Sequence, residues 1–92
     1  MPPPRKSQPR SLWRAAMAMA IQERMDEKEM NQTMLSEASG VKYRRLNDHV
    51  RGQHSPELTN LSKLCKALDT TVDKMMNRAE DLLKELSQKA DS

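Results

Sequence analysis

Lys42, Tyr43, Arg44, Arg45, Asn47, Asp48 and Arg51 crowd into one short stretch, K-Y-R-R-L-N-D-H-V-R. Their guanidinium, ammonium, amide and carboxylate groups are the donors and acceptors that read flat, polar edges. At roughly 100° per residue, Leu46, His49 and Val50 form the inner face of a helix. Arg44, Asp48 and Arg51 then point away, with Arg45 and Asn47 on the flanks. A narrow apolar back and a basic, amide-bearing front suit insertion into a DNA major groove. Arg44 or Lys42 can donate to guanine O6/N7, and Asn47 can pair with adenine. Asp48 can accept from cytosine N4, and Tyr43 can pack on a thymine methyl. A competing arrangement pairs Arg44 with Asp48, four residues apart. Such an exposed pair contributes only ~0.3–0.5 kcal/mol, so DNA can take Arg44 away from it.

The surrounding sequence supplies elements to hold that helix out. Before it, Met34, Leu35 and Ala38 share one face of a helix from Gln32 to about Ala38, capped by Asn31. Gly40 provides the positive φ of a tight turn and Val41 plugs the corner. The outward helix spans about Lys42–Val50, with Gly52 closing it. Ser55-Pro56-Glu57 predicts the start of a fourth helix, whose buried stripe is Leu58, Leu61, Leu64, Cys65 and Leu68. Upstream, Ser11 is expected to cap a helix from Leu12 to about Lys28, buried through Leu12, Trp13, Ala16, Met17, Ala20, Ile21 and Met25. Asp26, Glu27 and Glu29 oppose the dipole at its end and are expected to fray it.

Thr71 caps a last helix from Val72 to about Lys89. Val72, Met75, Ala79, Leu82 and Leu86 alternate at three and four, with Met76 and Leu83 beside them. Its later turns are expected to project beyond so small a core, leaving Leu82, Leu83 and Leu86 without an intrachain partner. A homodimer contact through Met75, Ala79, Leu82, Leu83 and Leu86 answers that exposure; a frayed tail is the other answer.

Composition narrows the field. A chain of 92 residues makes one domain that buries only roughly 60–65% of its unfolded surface. Two Gly, no Phe, one Trp and one Tyr, with few β-branched residues, exclude a sheet-rich fold; eight Met imply an adaptable core. The net charge of +3 is unevenly spread: residues 1–14 carry +4 and 42–54 carry +3, against −3 over 15–41 and −1 over 55–92. That pattern fits a polyanion partner. Residues 1–10, M-P-P-P-R-K-S-Q-P-R, are expected to be a disordered basic arm, with Arg5, Lys6 and Arg10 able to follow phosphates; a solubilising tail or tag remnant would read the same. The lone Cys65 on an apolar stripe reads as a core residue, in a reducing compartment. Arg14 interrupts the only signal-like apolar run, so the expected location is the cytoplasm, with no membrane partner. No Ser/His/Asp or Cys/His arrangement, metal cluster or Gly-rich phosphate loop is present, so neither an enzyme nor a cofactor is expected.

The ordered set I-Q-E-R-M, M-N-Q, Leu35, Ser36, Gly40-Val41, Leu46, Arg51-Gly52 and S-P-x-L-x-x-L-x-x-L-C-K-A-L resembles the helix-turn-helix domain of the phage repressor and Cro family. The likeness runs from about Ile21 to Met76. It implies an all-α, compact five-helix domain over residues 11–76, with 77–92 as a C-terminal extension. It also implies base contacts from Lys42, Tyr43, Arg44 and Asp48, with Asn47 a further one. Small residues at Ser36 and Gly40 are expected where two helices cross closely. Asn31 and Gln32 at a helix N-terminus, Arg45, Arg51, Gln53 and the amides at Ser55 are expected at phosphates. His49 departs from a usually aliphatic or aromatic position, and is expected to be a half-buried packing residue. His54 is expected at solvent or a phosphate. Ser39 replaces a common apolar residue, Glu29 and Asp69 stand where Gly is frequent, and Val50 replaces a frequent acid.

One such domain reads only a few base pairs. Two related by a twofold would read half-sites ~34–36 Å apart and discriminate far better. The resulting expectation is a sequence-specific transcriptional repressor of phage or bacterial type, acting as a homodimer on double-stranded DNA. An alternative is an antitoxin-like interaction module whose last helix clasps a partner protein while DNA binding serves autoregulation.

Overall fold

A computed structural model of the chain describes residues 9–91, and side-chain environments for residues 12–88. Five helices follow in order: α1 (Pro9–Glu27), α2 (Gln32–Ser39), α3 (Tyr43–Val50), α4 (Leu58–Ala67) and α5 (Val72–Asp91). No strand occurs among the described residues, and the fold is all-α. No described helix is long and apolar enough to cross a membrane.

The core is built where the apolar stripes converge. Ile21, Leu35, Leu46, Leu64 and Leu68 are completely buried, joined by Ala16, Met17, Ala20, Met25, Val41, Val50 and Cys65. Burial pushes the Cys65 thiol up, away from its reactive thiolate form.

Three boundaries differ from expectation. First, α1 begins at Pro9, so Ser11 lies inside the helix instead of capping it, and Pro9 and Arg10 are helical, not part of a disordered arm. Proline is at home in a first helical turn, where its missing N–H would have had no partner. Arg5 and Lys6, with the rest of residues 1–8, lie outside the described residues, as does the Arg10 side chain. Second, α1 ends without fraying. Glu29 adopts φ 54°, letting its N–H donate to Asp26 O at 3.0 Å and the Met30 N–H to Met25 O at 2.9 Å. That closure satisfies the last carbonyls despite the acids nearby. Third, Ser55, Pro56 and Glu57 stay outside α4, which starts at Leu58 with Glu57 extended (φ −67°, ψ 159°). Leu58 is consequently 69% exposed and not part of the buried stripe.

The largest correction concerns α5. Met75, Ala79 and Leu82 are all below 5% exposed, and Leu83 and Leu86 pack against the same core. These five residues therefore do have intrachain partners. A 19-residue α1 lies against a 20-residue α5, and these residues join the core cluster that Ala16, Met17, Ala20 and Ile21 of α1 help to build.

Side chains of α1 also grip the ends of the shorter helices. Arg24 Nε donates to Leu68 O at 2.9 Å and one of its terminal nitrogens to Asp69 O at 2.8 Å, satisfying carbonyls at the end of α4. Gln22 Nε2 donates to Val50 O, the last carbonyl of α3.

Candidate nucleic-acid interface

α2 starts on Asn31, whose extended backbone lets Oδ1 accept the Met34 N–H at 2.8 Å. It ends at Gly40, with φ 79° and its N–H on Ser36 O at 2.9 Å. An added Cβ at Gly40 would meet nothing within 4 Å. The position needs glycine for its left-handed backbone, not for the close helix crossing expected there. Two hydroxyls then fix the turn: Ser36 Oγ donates to Val41 O at 2.6 Å, and Ser39 Oγ accepts the Val41 N–H at 3.1 Å. Ser39, the oddity of the sequence, thus replaces apolar packing with a hydrogen bond. Val41, 3% exposed, fills the corner as expected.

These contacts set α3 on the body through one face. Leu46, His49 and Val50 are buried, while Lys42, Tyr43, Arg44, Arg45 and Arg51 are exposed and Asn47 and Asp48 half-buried. His49 is more deeply held than expected, at 4% exposure. Its Nδ1 faces His54 O at 2.9 Å, which ties the end of α3 to the following loop. Among the described residues Lys42, Arg44, Arg45 and Arg51 take part in no ion pair, and Arg44 does not pair with Asp48.

Hollows flank α3 on both sides. A groove of about 530 Å³ unites Lys42, Arg44, Arg45 and Asp48 with His54, Ser55 and Glu57 from the next segment. On the other flank a hollow of about 310 Å³ brings Gln32, at the start of α2, together with Arg51, at the end of α3. The groups expected at phosphates thus lie to either side of the helix expected to read bases. Gln53 is exposed outside both hollows, and Asn31 spends its Oδ1 on capping, leaving its amide nitrogen to donate. Because α4 begins at Leu58, Ser55 offers a loop position and not the amides of a helix start.

A family model described as helix-turn-helix matches residues 21–75, more than half of the chain. The chain belongs to this family. Its fold is also similar to that in the crystal structure of the clp gene regulator ClgR from Corynebacterium glutamicum, with a TM-score of 0.82 and 25% sequence identity over 90% of this chain and 88% of that one. No curated protein matches. Family and fold together make this a helix-turn-helix, DNA-binding regulator.

Sequence reasoning missed two features of this helix-turn-helix site. Gln22 and Arg24 stood in the quoted I-Q-E-R-M without a role, because the carbonyls they hold are 28 and 44 residues distant. The His49–His54 link was also unseen, since nothing in the spacing distinguishes a tied imidazole from a packed one.

Proposed function

We propose that this helix-turn-helix protein is a sequence-specific, double-stranded-DNA-binding repressor that reads the major groove with α3. The observation that supports the reading best is the set of four exposed cations on and beside α3 without acidic partners. Surface cations without local partners are free to replace the counterions condensed on DNA. Arg44 and Lys42 contact guanine, Asn47 adenine, Asp48 cytosine, and Tyr43, 51% exposed, a thymine methyl. Gln32 and Arg51 hold one strand's phosphates, Arg45 and the Gln53–Ser55 loop those of the other, and Asn31 donates its amide to the first. Arg5 and Lys6 add contacts from the preceding arm and Arg10 from the start of α1.

The protein acts as a homodimer, because a single α3 discriminates too few base pairs against a genome of competing sites. Of the five α5 residues expected at the contact, Leu83 and Leu86 retain surface to share, whereas Met75, Ala79 and Leu82 are used within the chain. The same burial weakens the antitoxin-like alternative, which needs an open apolar face on α5. Selecting bound duplexes from a random pool tests the proposal. A palindromic consensus is expected; a pool that remains unenriched overturns it, and an asymmetric single half-site overturns the dimer.

A further inference from the structure

His49 is the one buried polar side chain of the described core. Since a carbonyl oxygen only accepts, the 2.9 Å contact with His54 O makes Nδ1 the N–H. In the neutral ring Nε2 is then a bare lone pair, and it is buried with no hydrogen-bond partner. An orphaned acceptor of this kind is costly, and an aliphatic residue would fill the position without that cost. His49 lines the groove beside α3 with Lys42, Arg44, Arg45, Asp48, His54 and Glu57. From α1, Arg14 lines a neighbouring hollow with His54 and Ser55. Cations outnumber acids among the residues lining the groove beside α3.

Building on the proposed DNA binding, we infer that His49 couples DNA binding to the uptake of a proton. Phosphates drawn to Lys42, Arg44 and Arg45 reverse the field in the groove, and a charged imidazole becomes favourable beside them. Protonation at Nε2 removes the orphaned acceptor and puts a charge on a ring that lines the groove, while Nδ1 keeps its bond to His54 O. Linkage is reciprocal: if DNA favours the charged ring, charging the ring tightens DNA by the same factor. Affinity therefore rises as pH falls. His54, exposed on the same groove, is the competing source of such an effect and is controlled separately.

The test measures binding of a mixed-sequence duplex to the full chain at constant ionic strength between about pH 8 and pH 6, for wild type, His49→Gln and His54→Asn. The expected result is a gain of about fivefold or more for wild type, kept in His54→Asn and lost in His49→Gln. Should His49→Gln fail to fold, the imidazole resonances of the wild-type chain, titrated with and without the duplex, give the same answer. His49 should hold its proton to higher pH when DNA is present. A flat wild-type profile with binding intact overturns the coupling alone, as does a dependence that vanishes in His54→Asn but survives in His49→Gln. Absence of binding at every pH overturns the DNA-binding proposal with it.

Discussion

Arg24, Lys28 and Arg78 each meet an acid of their own chain: Glu27 at 3.4 Å, Asp69 at 3.7 Å and Glu23 at 2.7 Å. On α3 and its flanks, by contrast, Lys42, Arg44, Arg45 and Arg51 are exposed and make no ion pair among the described residues. Lys63, Lys66, Lys74 and Lys84 are exposed and unpaired among the described residues as well, but they are spread along α4 and α5, whereas around α3 four such cations fall between Lys42 and Arg51. Exposed pairs are worth ~0–1 kcal/mol each, so the difference is not about stability. Asp48 and Glu57 share the groove with Lys42, Arg44 and Arg45 yet pair with none of them, so the cations stay available to an anion from outside.

The two sides should respond differently to mutation, most of all at the residue joining them. Leu46 is completely buried beneath the cationic face. Leu46→Ala should cost ~2–5 kcal/mol of stability, read by urea denaturation, and should weaken DNA binding because α3 loses its seat. If binding survived at full strength, α3 would not depend on its apolar back and the contrast between the faces would lose its structural basis.

Next in size are the cations themselves. Arg44→Ala should remove ~1–3 kcal/mol of discrimination between the selected duplex and one altered at a single base pair, with an unchanged melting temperature. Arg51→Ala should weaken all duplexes alike and reduce the log–log salt slope by ~1. Arg78→Ala, on the neutralised side, should leave both readouts untouched. A DNA-binding loss in Arg78→Ala comparable to that in Arg44→Ala would show that the two faces are not functionally distinct.

How much of this could be read in advance depended on sequence distance. Leu46, Val50, Asn31, Gly40 and Val41 take their roles from neighbours within a turn or two, so periodicity and capping chemistry placed them. Leu82, Leu83 and Leu86 join a core whose other members, Ala16 to Met25 of α1 among them, are far away in sequence, so nothing within α5 itself announced their burial. Leu82 is core as a result, while Leu83 and Leu86 stay half-buried. Leu58 failed for a local reason: Ser55-Pro56-Glu57 has the residue types of a helix start, but the backbone at Glu57 is still extended. The contacts of Gln22, Arg24 and His49 involve backbone carbonyls, which carry no side-chain signature to recognise.

Glu29 offers a smaller test on the neutralised side. It holds φ 54° without glycine's freedom, a conformation that strains L-residues by ~1–2 kcal/mol. Glu29→Gly relieves that strain while loosening the unfolded chain, for a net gain of about 0.5–1 kcal/mol. DNA affinity should not move, because the change lies at the end of α1 and not on the face presented by α3. A stabilised variant that bound DNA less tightly would reveal that the end of α1 communicates with the site.

The weakest expected effect separates the electrostatics of the two faces by pH. Two hydrogen bonds from Arg78, at 2.8 and 2.7 Å, together with its positive charge, hold the Glu23 carboxyl below the usual carboxylate range, and burial opposes them only in part. The same contact pushes Arg78 up, to no consequence at working pH. A carboxyl whose folded pKa is depressed stabilises the fold above its unfolded value and loses that contribution as pH falls through the folded value. Glu23 is 43% exposed, so the contribution is strongly screened. Glu23→Gln should therefore melt slightly below wild type at neutral pH, and the gap should close on acidification below about pH 4. DNA affinity, followed over the range where the fold persists, should be the same for both proteins. If the gap instead widened in acid, the Glu23–Arg78 pair would not be its source, and the neutralised face would owe its stability to packing alone.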